Sequence, residues 1–96
     1  MRTQITAVHF NATDSLKEFV ETEIQRLTKF AEDISNCEVE FTFNKQDKKT
    51  NIHISVDGTV LNASAISEDF RKSTVLAVDK LEAQVKKYKE KTHSKH

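Results

Sequence analysis

Lysines near the C-terminal end hold the most suggestive chemistry of this sequence. Lys80, Gln84, Lys87 and Lys91 follow one another at steps of four, three and four, a spacing that stacks them along one side of a helix. Arg26 and Lys29 stand three apart in an earlier helical stretch. Cations held within a Debye length of about 8 Å build a potential that attracts phosphate. The chemistry is therefore anion capture, with nucleic acid as the ligand class. The formal net charge is zero, yet residues 1–36 carry 4 basic and 6 acidic side chains, residues 37–70 carry 3 and 6, and residues 71–96 carry 8 and 3. Such asymmetry points to an anionic partner for the basic end. If the two helices lie side by side, their cationic flanks form one surface. The plain alternative is a solvated helix face whose lysines gain about 0.3–1 kcal/mol each near the C-terminal end of the dipole. It leaves Arg26 and Lys29 unexplained.

Other groups offer less. A structural zinc site needs four converging ligands, whereas His9 and His53 fall on separate strands and His93 and His96 near the C-terminal end. No metal and no cofactor is expected. Cys37 alternates in phase with apolar residues, so it is a small core hydrophobe in a reducing compartment rather than a nucleophile. No serine, histidine and carboxylate set has recognisable spacing, and an enzyme is not expected. Asn11-Ala12-Thr13 and Asn62-Ala63-Ser64 match the glycosylation pattern but, without a secretion signal, are chance matches.

The elements that must position the cations follow from periodicity. With 96 residues, one Gly and no Pro, the chain makes one domain with short connections, residues 1–91, and a flexible tail, 92–96. No signal peptide or membrane-length apolar run is present, which predicts a cytoplasmic protein. Residues 14–34 have a helical stripe of Leu16, Phe19, Val20, Ile24, Leu27, Ala31 and Ile34, capped by Thr13 or Asp14. Alternation then predicts strands from Cys37 to Asn44, around Ile52 to Val56 and from Val60 to Ala65, separated by the turn of residues 45–49 and by Asp57-Gly58. A last helix runs from near Ser67 to about Lys89. Thr3 to Phe10 is a strand whose register is open, since Thr3, Ile5 and Ala7 share one face while Val8 and Phe10 fall on the other. The order β-α-β-β-β-α predicts an α+β fold, a four-stranded mixed sheet with both helices on one face. Its open face offers no exposed aromatic for base stacking, because Phe41 and Phe43 alternate with the core residues and Glu38 and Glu40 point the other way. A shape-selective grip on structured RNA by the helical side is favoured over readout of single strands.

The sequence resembles the short ribosome hibernation promoting factors, the family of ribosome-associated inhibitor A and the sigma-54 modulation proteins. The resemblance rests on Gln4-Ile5-Thr6, the stretch Thr13 to Val20, Asp57-Gly58 leading to Leu61-Asn62-Ala63-Ser64-Ala65, Glu68-Asp69-Phe70, and the run from Asp79 to Lys89. It implies a fold like the double-stranded-RNA-binding domain. It also implies binding to the small ribosomal subunit and its rRNA in the channel of messenger and transfer RNA, so that translation is inhibited and idle ribosomes are stored under stress or in stationary phase. The family's basic positions carry over to Arg26, Lys29, Lys80, Lys87, Lys89 and Lys91, with Gln84 beside them; Glu23 and Ala83 depart from residues that are often basic. A separate ribosome-dimerisation factor would be a further partner, and the protein is expected to be monomeric off the ribosome, with no membrane partner. Two other functions stay open: a general structured-RNA binder, and a protein-interaction module using the acidic sheet face at Glu38 and Glu40.

Overall fold

Thr13 starts the first helix. Its backbone is extended at φ −70° and ψ 157°, and its Oγ1 accepts from the Leu16 N–H at 3.1 Å, satisfying one of the donors a helix start leaves open. The computed structural model describes the backbone of residues 1–93 and the side chains of residues 1–90. α1 (Asp14–Thr28) is shorter than the periodicity predicts. Lys29 caps it, and the Ala31 N–H returns to the Leu27 carbonyl at 3.2 Å. Ile34 opens β2 (Ile34–Asn44) opposite Val56 of β3 (Asp47–Val56). Ala31 and Ile34 are buried in either conformation, so apolar spacing cannot mark the helix end; strand pairing does.

β1 (Arg2–Ala7) runs parallel to β2, and β3 and β4 (Thr59–Ser67) complete an antiparallel meander in the order β1-β2-β3-β4. Past Ala7 the chain turns through His9 at φ 67°, which returns Phe10 to the core side and resolves its conflict with the strand alternation. Only Lys45 and Gln46 join β2 to β3, with Lys45 at φ 59°, so Lys48 and Lys49 belong to a strand and not to the turn. Asp57 at φ 51° and Gly58 at φ 77° close the next hairpin, the positive pair that a tight primed turn demands.

α2 (Phe70–His93) starts three residues beyond Ser67. Ser67 Oγ accepts from the Asp69 N–H at 3.0 Å, and the Asp69 carboxylate accepts from the Arg71 N–H at 3.1 Å. These residues cap the helix instead of forming its first turn. The helix continues past Lys89, so residues 92 and 93 of the expected tail are helical, and 94–96 lie outside the described residues.

Both helices cover one sheet face. Val20, Ile24 and Leu27 of α1 and Ala77, Val78, Leu81 and Val85 of α2 are fully buried above Cys37, Val39, Phe41, Ile52, Ile54 and Val56. Truncating one of them, as in Leu81→Ala, would cost about 2–5 kcal/mol in lost contact and cavity. The buried hydroxyls are satisfied: Thr74 Oγ1 donates to the Phe70 carbonyl at 2.7 Å, and Thr50 and Ser73 share a 2.7 Å bond. Among the described residues, no helix is long and apolar enough to cross a membrane.

Candidate nucleic-acid interface

α2 supplies the positive charge. It carries seven basic and three acidic residues, against two and four in α1. Its cations divide between two flanks because the core stripe fixes the helix's rotation. On the flank toward β4, Lys80 Nζ donates to the Ser64 carbonyl at 2.9 Å and Gln84 Nε2 donates to the Asn62 carbonyl at 2.7 Å. These carbonyls lie on the outer edge of β4, so the contacts also cover part of an unpaired strand edge. An ammonium has three donors, and one carbonyl leaves the others available. Lys87 shares this side at the next turn and is exposed. Among the described residues, no carboxylate lies within ion-pair distance of Lys80 or Lys87. The Lys91 side chain, expected to extend the ridge, lies outside the described residues.

The flank toward α1 differs. Arg26 reaches from α1 to Asp79 at 2.8 Å and Glu82 at 3.1 Å on α2, and also holds Glu23 at 2.9 Å. Its pKa is raised, chiefly by the Asp79 hydrogen bond and then by that of Glu23. Arg71 donates to Ser15 Oγ at 2.7 Å and lies 5.2 Å from the Phe19 ring centre, while Lys86 lies 4.5 Å from that of Phe30. Lys89 pairs with Asp33 at 2.8 Å and Asp57 at 3.6 Å. Asp33 is lowered to about 2 by hydrogen bonds from Asp57 and then Lys89, whereas Asp57 is raised by its bond to Asp33, and Lys89 is raised by Asp33. Lys89 thereby joins α2 to the chain after α1 and to the β3–β4 turn.

The expectation of one basic surface shared by both helices is corrected here. Arg26 faces the groove between the helices, on the opposite flank of α2 from Lys80 and Gln84, and it is neutralised by acids that a one-helix wheel does not reveal. Lys29 is the exposed C-cap of α1. The structure brings Lys80, Gln84 and Lys87 together, and it withdraws Arg26 and Lys89 into ion pairs.

Several groups escaped the sequence reading. Lys72 is exposed two turns before Lys80 and unpaired by any described carboxylate; its eight-residue spacing was the available signal. Phe43 is 48% exposed although its alternation placed it with the core, because the sheet extends there beyond the helices' cover. Glu38 and Glu40 lie on the open face as expected, beside Gln4, Thr6 and His53. His53 Nε2 is 3.1 Å from Asn51 Nδ2. Cys37 is wholly buried, and burial pushes its thiol up to about 12, which keeps it unreactive at neutral pH.

Comparison with known proteins decides the family. The pattern of the family described as Sigma 54 modulation protein / S30EA ribosomal protein matches residues 3–93. The chain belongs to this family. A ribosome hibernation promoting factor from Azotobacter vinelandii is 33% identical over 91 residues, covering 95% of this chain and 85% of that one. One from Pseudomonas putida is 29% identical over 94 residues, covering 98% and 92%. Among solved structures, a ribosomal subunit interface protein from Coxiella burnetii superposes with a TM-score of 0.89 at 32% identity, over 94% of this chain and 99% of that one. The N-terminal domain of Thermus thermophilus Protein Y shares the fold, with a TM-score of 0.83 at 22% identity, over 92% and 99%.

Proposed function

We propose that this protein is a ribosome hibernation factor that grips the small ribosomal subunit with the β4-side flank of α2, its primary contacts being Lys80, Gln84 and Lys87, with Lys91 next in the helical series. Bound in the channel of messenger and transfer RNA, it would inhibit translation and store idle ribosomes. Its relatives are ribosome-associated factors and not enzymes, and this role puts it in the cytoplasm. The single observation that carries the choice of surface is the absence, among the described residues, of any carboxylate paired with that flank, beside a neighbouring flank whose arginine is held by three. Lys29 is an outer contact, whereas Arg26 and Lys89 are held by carboxylates and give no phosphate contact while those pairs stand. The protein is a monomer off the ribosome, and pairing of ribosomes would need a separate dimerisation factor.

The test is sedimentation with purified small subunits over a range of salt. Each phosphate contact releases counterions and adds about 0.7–0.9 to the logarithmic salt slope. Co-sedimentation that weakens steeply with salt is expected, and binding indifferent to salt would reject the proposal. Bare duplex RNA that competes equally with subunits would identify a general RNA binder. Loss of binding on charge reversal at Glu38 and Glu40, with none at Lys87, would move the function to the sheet face.

A further inference from the structure

Phe43 ends an aromatic series that runs from the core to the surface. The Phe70 ring lies 4.9 Å from that of buried Phe41, Phe10 stacks on Phe70 at 5.1 Å, and Phe43 meets Phe10 edge-on at 5.6 Å and 74°. The series holds Phe43 in place, yet half of it faces solvent. Two other phenylalanines near the surface have a cation over the ring: Arg71 covers Phe19 and Lys86 covers Phe30. Among the described residues, no such cation covers Phe43. One exposed apolar side chain is ordinary in itself; what distinguishes Phe43 is that ring contacts hold it in place while half of it stays open to solvent.

Its surroundings select the ligand. Lys48 lies directly across the β2–β3 ladder from Phe43, on the same face, which sets the Cβ atoms about 5 Å apart. Lys45 forms the turn two residues on, and Lys49 points from the opposite face. Asp47 is the only acid between Phe41 and Val56, and Glu68 follows Ser67, the β4 partner of Lys48. Among the described residues, none of the three lysines is ion-paired. An aromatic face beside unpaired ammonium groups fits a nucleic-acid strand with an unstacked base, because the base stacks while the lysines meet the phosphates. Ser67 is three residues along β4 from Ser64, which receives Lys80. From strand spacings, Phe43 therefore lies on the order of 15 Å from that anchor, within reach of one RNA ligand.

We propose that Phe43, with Lys48 and Lys45, stacks an unpaired RNA base at the β2–β3 hairpin, a second contact that works with the α2 flank. The inference rests on the RNA-binding reading above and adds single-strand recognition to it. The chain has no Trp, so Phe43→Trp creates a single indole probe. Its emission should be quenched saturably, and less at high salt, by an eight-residue single-stranded oligouridylate but not by blunt duplex RNA of equal length. Phe43→Ala and Phe43→Leu should weaken small-subunit binding by about five- to a hundredfold, while Phe43→Trp retains it. Leucine preserves an apolar contact with Phe10 and separates stacking from simple burial. Leu binding as tightly as Phe, as for an apolar pocket on a protein, would overturn the proposal, as would unquenched Trp emission. If only the Lys80 and Lys87 variants lose subunit binding, this inference fails and the ribosome reading stands. If the wild type ignores subunits while the oligonucleotide quenches, the reverse holds.

Discussion

The two flanks of α2 share a helix, a net positive charge and proximity to a neighbouring element, yet they differ in what that neighbour offers. α1 presents Glu23 and Arg26 to the groove, and α2 answers with Asp79 and Glu82. Cations there act as ties between elements. β4 presents backbone carbonyls, which hold Lys80 and Gln84 without cancelling charge. Local pairing, rather than the number of lysines, thus decides where a helix with excess positive charge can attract phosphate.

The largest way to break this comparison is the double variant Lys80→Ala/Lys87→Ala. At about 0.1 M salt one counterion-releasing contact is worth roughly five- to eightfold, so the pair should lose roughly 25- to 60-fold in small-subunit affinity. Thermal melting should be almost unchanged, since neither residue is in an ion pair. Arg26→Ala should do the opposite. It leaves Glu23, Asp79 and Glu82 without their shared cation, at a cost of about 1 kcal/mol for a partly exposed network. A melting point lower by roughly 4–8 °C is expected by calorimetry, with subunit affinity changed far less than in the double lysine variant.

Converting Asp79→Asn and Glu82→Gln together sharpens the comparison from the other side. With its partners on α2 neutralised, Arg26 becomes a usable cation, and affinity should rise by up to about fivefold, read from the same salt titrations. The smallest effect concerns Lys89. The folded pKa of Asp33 lies near 2, below its ordinary value of 3.8, so its contribution to stability is present above pH 4 and is lost as the pH falls through about 2. Asp57 is raised and contributes in the reverse sense, losing its share as the pH rises through its folded value. Lys89→Ala should move the Asp33 midpoint upward in a carboxylate NMR titration, and the Asp33 share of the acid-induced loss of stability should shrink.

Much of this fold was legible in the sequence because each element repeats its own period. The alternation of Cys37, Val39 and Phe41, the Asp57-Gly58 pair and the stripe from Phe70 to Tyr88 all agree with the observed placements. Boundaries were less legible: Ile34 satisfies a helical step and a strand end equally, and the Ser67–Asp69 caps resemble a first helical turn. At the candidate site, the ridge of Lys80, Gln84 and Lys87 followed from spacing along one helix. The fate of Arg26 did not, since Asp79 and Glu82 lie more than fifty residues away in sequence and meet it only through helix packing. Phe43 was hidden for a similar reason. Strand alternation reports which face a residue takes, and says nothing of whether the covering helices extend that far.

Salt dependence of small-subunit binding tests the division between flanks most directly, comparing wild type, Lys80→Gln/Lys87→Gln and Arg26→Gln. The double lysine variant should lose about 1.4–1.8 from the logarithmic slope while Arg26→Gln keeps the wild-type slope. Equal losses in both, or loss in Arg26→Gln alone, would contradict the assignment of the RNA-facing surface to the β4 side of α2.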